Sequence, residues 1–229
     1  MNISNIKISI DGNIGIGKQH FIKMLKKHTN AENVYIHSNE KFDLCQKNIK
    51  DLFAVYSTEY YAEWSMYFSD IISSVYMCHS NKKIIFTIRS IDTYSNVLLR
   101  AGFDTKMINE CSYDRIKRFL TTYNNVLQSS TIAGGSLNCI IYLKMNPHDL
   151  YDFLLSNHMY DSINIDLMIN IDRRYGEYIK FIQETSTIKV IEVNIDANTL
   201  NDLYFTKRMP TVFRDVINEL SDTYPGCIN

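Results

Sequence analysis

Hydrophobic positions along the chain follow two rhythms. Short runs rich in Ile and Val, bounded by polar or turn residues, predict strands at Lys7–Ile10, Asn33–His37, Ile84–Ile88, Cys139–Lys144 and Lys189–Val193. Between them, apolar residues recur at helical spacing. One such stretch is Gly17–His28. A second, Glu59–Cys78, carries Trp64, Tyr67, Phe68, Ile71, Ile72 and Val75. A third, Tyr113–Gln128, puts Ile116, Phe119, Leu120, Tyr123 and Leu127 on one stripe. Pro147 opens a further helix at the early position proline favours. Ile165–Gln183 and Thr211–Leu220 complete the helices, Ala133–Ser136 reads as a loop, and the tail from Ser221 is expected to fray. Strands alternating with helices predict an α/β fold with a five-stranded parallel sheet covered on both faces. With no internal repeat and no low-complexity linker, residues 1–229 are expected to form a single domain.

The first strand runs into the most informative stretch, IKISIDGNIGIGKQHF at Ile6–Phe21. Gly12, Gly17 and Lys18 satisfy the spacing G-x-x-x-x-G-K, with Asn13 and Gly15 inside the loop. Strand, glycine turn, lysine and helix are the parts of a phosphate-binding P-loop: backbone N–H groups cradle the phosphates, the lysine reaches the terminal ones, and the helix dipole adds to both. A chance glycine turn would not need a strand before it and a helix after it. One letter departs, because Gln19 stands where Ser or Thr offers a hydroxyl to Mg²⁺. A nucleoside triphosphate is therefore the expected ligand, and Mg²⁺ is in doubt.

Composition narrows this only a little. At 45% hydrophobic and 21% charged residues, the chain can bury a full core. A net charge of −1 gives no global pull toward nucleic acid or anionic membrane, and there is no basic stripe. Lys23, Lys26, Lys27 and His28 read as a solvated helix face, as do Arg173-Arg174 and Lys207-Arg208. The five cysteines are spread with no C-x-x-C, which fits free thiols in a reducing cytoplasm rather than a disulfide framework or a zinc site. No signal peptide and no run of membrane-spanning length is expected. A chain rich in Ile, Asn, Tyr and Lys with only three prolines suits an AT-rich, viral genome.

Beyond the P-loop, the order of motifs resembles the deoxynucleoside kinase family over nearly the whole chain. The family's GNIGxGK loop is matched by Gly12–Lys18, and its W-S-x-x-F helix by Trp64-Ser65-Met66-Tyr67-Phe68. Its E-R-S element appears as Ile88-Arg89-Ser90, and its IIYL…P strand as Ile140–Leu143 with Pro147. The IPLEYL helix start is echoed by Ile163–Met168. The resemblance implies a three-layer P-loop kinase fold, ATP as phosphate donor, and a homodimer formed through the helices at Glu59–Cys78 and Tyr113–Gln128.

The chemical letters diverge from those of the family. Its base, a glutamate after the second strand, falls at His37, followed by Ser38, with Glu40 offset by almost a helical turn. Neutral histidine can take a proton, with an ordinary pKa near ~6.5, although it also reads as a polar strand end. The E-R-S glutamate is Ile88, whereas its arginine persists as Arg89. The base-reading glutamine is Ser69, with Asp70 beside it, and the aspartate after E-R-S is Tyr94, with Asp92 near. The arginine-rich lid becomes Tyr151–Ser162, which holds no Arg or Lys, only His158. An arginine on the transferring group is worth about 10³–10⁵ in rate, and a general base about 10²–10⁴.

Three readings stand. The leading one is a kinase homologue that has lost phosphoryl transfer and serves as a nucleotide-binding or scaffold protein for an unnamed protein partner. The second is an active kinase in which His37 is the base, Lys18 and Arg89 hold phosphates, Asp92 or Asp70 assists, and Arg173 or Arg174 closes the lid. The third is an interaction module with an empty loop.

Overall fold

The computed structural model describes residues 5–37, 81–129, 137–159, 164–226 and 228. The predicted helix Glu59–Cys78, the loop Ala133–Ser136 and the end of the lid stretch lie outside them, as does Asp70. The strands are β1 (Ile6–Gly12), β2 (Val34–Ile36), β3 (Ile84–Ile88), β4 (Cys139–Lys144) and β5 (Lys189–Asn194). They form a five-stranded sheet in the order β2-β3-β1-β4-β5, every pair parallel. Parallel neighbours require crossovers, and the helices supply them.

In chain order the helices are α1 (Lys18–Leu25, tightening to 3₁₀ over Lys26–His28), α2 (91–104), α3 (Glu110–Ser129), α4 (Pro147–Ser156), α5 (Ile165–Thr185), α6 (197–206) and α7 (Thr211–Thr223). The caps follow the sequence. Asn146 accepts from the His148 and Asp149 N–H groups just ahead of Pro147, and Asn164 accepts from the Leu167 N–H. The sequence pattern missed α2 and α6. Each contains a π-helical turn, at Tyr94–Leu98 and Asp202–Thr206, and its extra residue breaks the 3.6-residue spacing that betrays a helix.

Two apolar layers flank the sheet, and strand alternation sorts residues between them. On one face Ile8, Ile10, Phe86, Ile141, Leu143 and Val193 pack against α1, α4 and α7. Phe21 of α1 meets Phe213 of α7 there at 4.4 Å between ring centroids. On the other face Ile85 and Ile140 meet α2, α3 and α5 through Leu98, Ile116, Leu120 and Ile179. This second face is not uniformly apolar. Ser9, Asp11 and Thr87 are completely buried, so β1 places a polar stripe under α5 while its other face is all isoleucine. The C-terminal tail departs from expectation. Helix α7 continues to Thr223, Ile228 is buried, and it pairs with Thr29 in an antiparallel bridge. A buried apolar side chain and a bridge tie down what the polar tail sequence alone leaves loose.

Candidate functional site

The loop between β1 and α1 sits at the carboxyl end of the central strand, where open parallel sheets bind ligands. Its shape follows from glycine at defined places. Gly12 has φ +137°, and a Cβ there would lie 2.5 Å from the Leu143 carbonyl oxygen on β4. Gly15 has φ +77°, and its Cβ would lie 2.5 Å from a Leu154 methyl on α4. Both positions combine a left-handed backbone with a close neighbour, so no other residue fits without movement. Asn13 locks the loop from within: its Oδ1 accepts from the Ile14 N–H, and its Nδ2 donates to Met168 O on α5, each at 2.8 Å. Tyr204 of α6 donates to the Gly15 carbonyl at 2.8 Å.

The first turn of α1 carries no acidic residue and no side-chain cap, leaving its N–H groups for an external anion. Lys18, only 8% exposed, donates to the Gly12 and Asn13 carbonyls, the first at 2.9 Å. Burial, helped by the Arg89 charge, pushes its pKa well below the ordinary lysine value, while Asp11 opposes the shift.

Beneath the loop lies a buried polar network. Asp11 accepts from the Ser9 hydroxyl at 2.5 Å and from the Tyr175 hydroxyl at 3.2 Å. Burial raises its pKa, and bonds from Ser9 and Thr93 and the charges of Arg89 and Lys18 only partly offset this. Arg89 adopts the left-handed backbone region at φ 64°, a strained posture for a residue with a side chain. It is held by its N–H to Ile10 O at 3.0 Å and by Thr87 Oγ1 donating to its carbonyl at 2.9 Å. Its guanidinium points inward, with Nε 3.4 Å from the Tyr175 hydroxyl and Nη2 3.5 Å from Gly12 O. Burial works against that charge, but Tyr175, Tyr94 and Asp11 outweigh it and raise the Arg89 pKa. Lys18 and Arg89 thus converge on one carbonyl, with the Asp11 carboxylate beside them.

The structure brings Gly12, Asn13, Gly15, Gly17, Lys18 and Arg89 together. His37 follows β2 at the same end of the sheet, its N–H bonded to Phe86 O at 2.9 Å. It sits on the far edge strand, with β3 between it and the loop strand. Asp92 is tied to α3, accepting from Asn124 Nδ2 at 2.7 Å. Arg173 and Arg174 both bond Asp104 at the end of α2, at 2.8 and 2.7 Å, and Arg174 also bonds Glu177. The start of the lid stretch is the second half of α4, whose Leu154 is buried against Gly15.

Sequence reasoning missed Asp11, Ser9, Thr93, Tyr175 and His20. Asp11 carried a signal: a carboxylate directly after an isoleucine-rich strand lies in the core and needs partners. His20 lies on the outer side of the loop, its ring 4.3 Å from that of Tyr204 and its Nδ1 buried without a hydrogen-bond partner.

Among the described residues the loop offers magnesium a poor donor set: Gln19 has no hydroxyl, the Ile88 side chain has no donor atom, and the Asp11 carboxylate is buried and held by Ser9 and Tyr175. Among the described residues no group of three His, Cys, Asp or Glu side chains is placed to hold a metal.

Sheet order and glycine loop define a P-loop protein of the kinase type. Residues 8–221 match the family model for deoxynucleoside kinases, and the chain belongs to that family. Members use ATP as phosphate donor. No individual curated protein matches the chain at a significant level. No helix among the described residues is long and apolar enough to cross a membrane.

Proposed function

We propose that this chain is a deoxynucleoside-kinase homologue that binds a nucleotide through Gly12, Asn13, Gly15, Gly17 and Lys18 and has lost efficient phosphoryl transfer, serving as a binding or scaffold protein. The observation that carries the reading is where the cations go. Phosphoryl transfer relies on positioning and on positive charge around the moving group. The lid stretch holds no Arg or Lys. The arginines that follow it on α5 are committed to Asp104, and Arg89 is turned into the network under the loop. Backbone N–H groups and Lys18 suffice for binding. They do not supply an arginine at the transferring phosphate, worth about 10³–10⁵ in rate.

On this reading residues 1–229 act as one intracellular domain that pairs as a homodimer by analogy with the family. Helix α3 contributes Ile116 and Leu120 to the core of this chain. The test is calorimetric titration with ATP, with turnover on deoxynucleosides scored in parallel. Binding lost in Lys18→Ala, without product, supports the proposal. Product formed at an ordinary kinase rate and abolished by Lys18→Ala refutes it, and His37→Ala then tests the rewired scheme in which His37 is the base and Arg89 a phosphate ligand.

A further inference from the structure

P-loop nucleotide sites ordinarily share the phosphate charge between the loop and a magnesium ion held by a loop hydroxyl and a nearby carboxylate. Here the loop hydroxyl is missing and, among the described residues, no group of acidic side chains is placed to hold that ion, yet the site has not lost its positive charge. Lys18 and Arg89 are 8% and 7% exposed, and both reach toward the Gly12 carbonyl. Asp11 is the buried carboxylate that opposes them, and its oxygens are already bonded by Ser9 and Tyr175. Burial and the Arg89 charge disfavour the charged form of Lys18 in the empty site. A buried charge that lacks a partner is costly, and an incoming anion removes that cost. The open N–H groups of α1 add to the same preference.

We propose that this loop takes nucleotide phosphates as the free, magnesium-less anion, with Lys18 in the loop and Arg89 from beneath it, clear of the transferring phosphate, supplying charge that the metal supplies in its relatives. The ligand class is a nucleoside di- or triphosphate outside its metal complex. The inference rests on the nucleotide-binding reading above and sharpens it. Arg89 is a binding residue on this account, which also explains its strained backbone: the left-handed turn aims a core arginine at the loop carbonyl instead of outward. Magnesium then competes for the ligand in solution and not for a place on the protein.

The experiment is calorimetric titration of the full chain with ATP at one fixed ionic strength, once in EDTA and once in excess Mg²⁺. Holding ionic strength constant matters because anion binding is screened by salt. The expected result is a dissociation constant in EDTA equal to or lower than that in Mg²⁺. A tenfold or greater tightening by Mg²⁺ overturns the proposal while leaving nucleotide binding intact. Absence of heat under both conditions overturns the nucleotide-binding reading itself. Arg89→Gln, which removes the charge, separates the two cations: at least threefold weaker binding in EDTA is expected, and unchanged affinity removes Arg89 from the account. The wild-type comparison stands even if that variant folds poorly.

Discussion

The loop side of the site and the lid side have fared differently. At the loop, function is supplied by backbone. N–H groups, left-handed glycines and one lysine make the cradle, and Leu143, Leu154, Met168 and Tyr204 hold its shape through packing and carbonyl contacts. At the lid, function in the family is supplied by arginines, and here the stretch Tyr151–Ser162 holds no Arg or Lys. Backbone-built function is bound to the fold, since changing Gly12 disturbs β4. Side-chain chemistry at an exposed helix can be replaced without structural penalty. The contrast explains why a chain keeps the shape of a kinase site while its chemical letters drift.

The contrast can be broken most severely at Gly12. Gly12→Ala combines an unfavourable φ with a 2.5 Å approach to the Leu143 carbonyl. It should cost about 3 kcal/mol, read as a drop in the denaturant midpoint. A neutral effect there would mean that the loop is not locked by the fold.

Tyr175→Phe comes next. It removes the hydroxyl shared by Asp11 and Arg89 and leaves buried charges less satisfied. A loss of about 1–3 kcal/mol is expected from chemical denaturation.

Asp104→Ala should be milder. It frees Arg173 and Arg174 from pairs that are partly solvent-exposed, at about 1 kcal/mol or less. It also sharpens the comparison. If either arginine could serve the lid, releasing them should create turnover; none is expected in a phosphorylation assay.

The smallest effect is in pH. Burial lowers the Lys7 pKa to about 8 and the Lys18 pKa well below its ordinary value. The unfolded chain therefore binds more protons above those values, so stability of the empty protein rises with pH there, until Cys139 and the buried tyrosines, whose raised pKa values act in the opposite sense, begin to titrate in the unfolded chain near pH 9. Nucleotide affinity moves the other way, because the phosphates need Lys18 protonated. Between about pH 7.5 and 8.5 the denaturant midpoint and the ATP dissociation constant should both rise, a more stable empty protein that binds its ligand more weakly.

Sequence patterning captured the parts of the fold where spacing is regular. The predicted limits of Ile84–Ile88 and Cys139–Lys144 coincide with β3 and β4, because both are dense apolar strands with polar ends. Helices α2 and α6 escaped because a π-turn interrupts each periodic stripe. In the site, the glycines and Lys18 were legible because a fixed spacing encodes them. The network under the loop was not, because Tyr175 lies 164 positions from Asp11 and only the sheet and α5 bring them together. Arg89 stood out as a motif letter, but its inward aim depends on a backbone angle that no letter carries. The Arg173-Arg174 pair shows the same limit from the other side. As sequence it could have been spare lid charge, and its partner Asp104 lies on another helix.

The central claim is that a phosphate cradle persists here without the charges that move a phosphoryl group. Incubating the full chain with ATP, Mg²⁺ and each of the four deoxynucleosides, beside a binding titration on the same preparation, tests it most directly. The account predicts Lys18-dependent ATP binding and no deoxynucleoside monophosphate above background. Product formed at about 1–100 s⁻¹, the usual kinase range, and lost in Lys18→Ala, would contradict it.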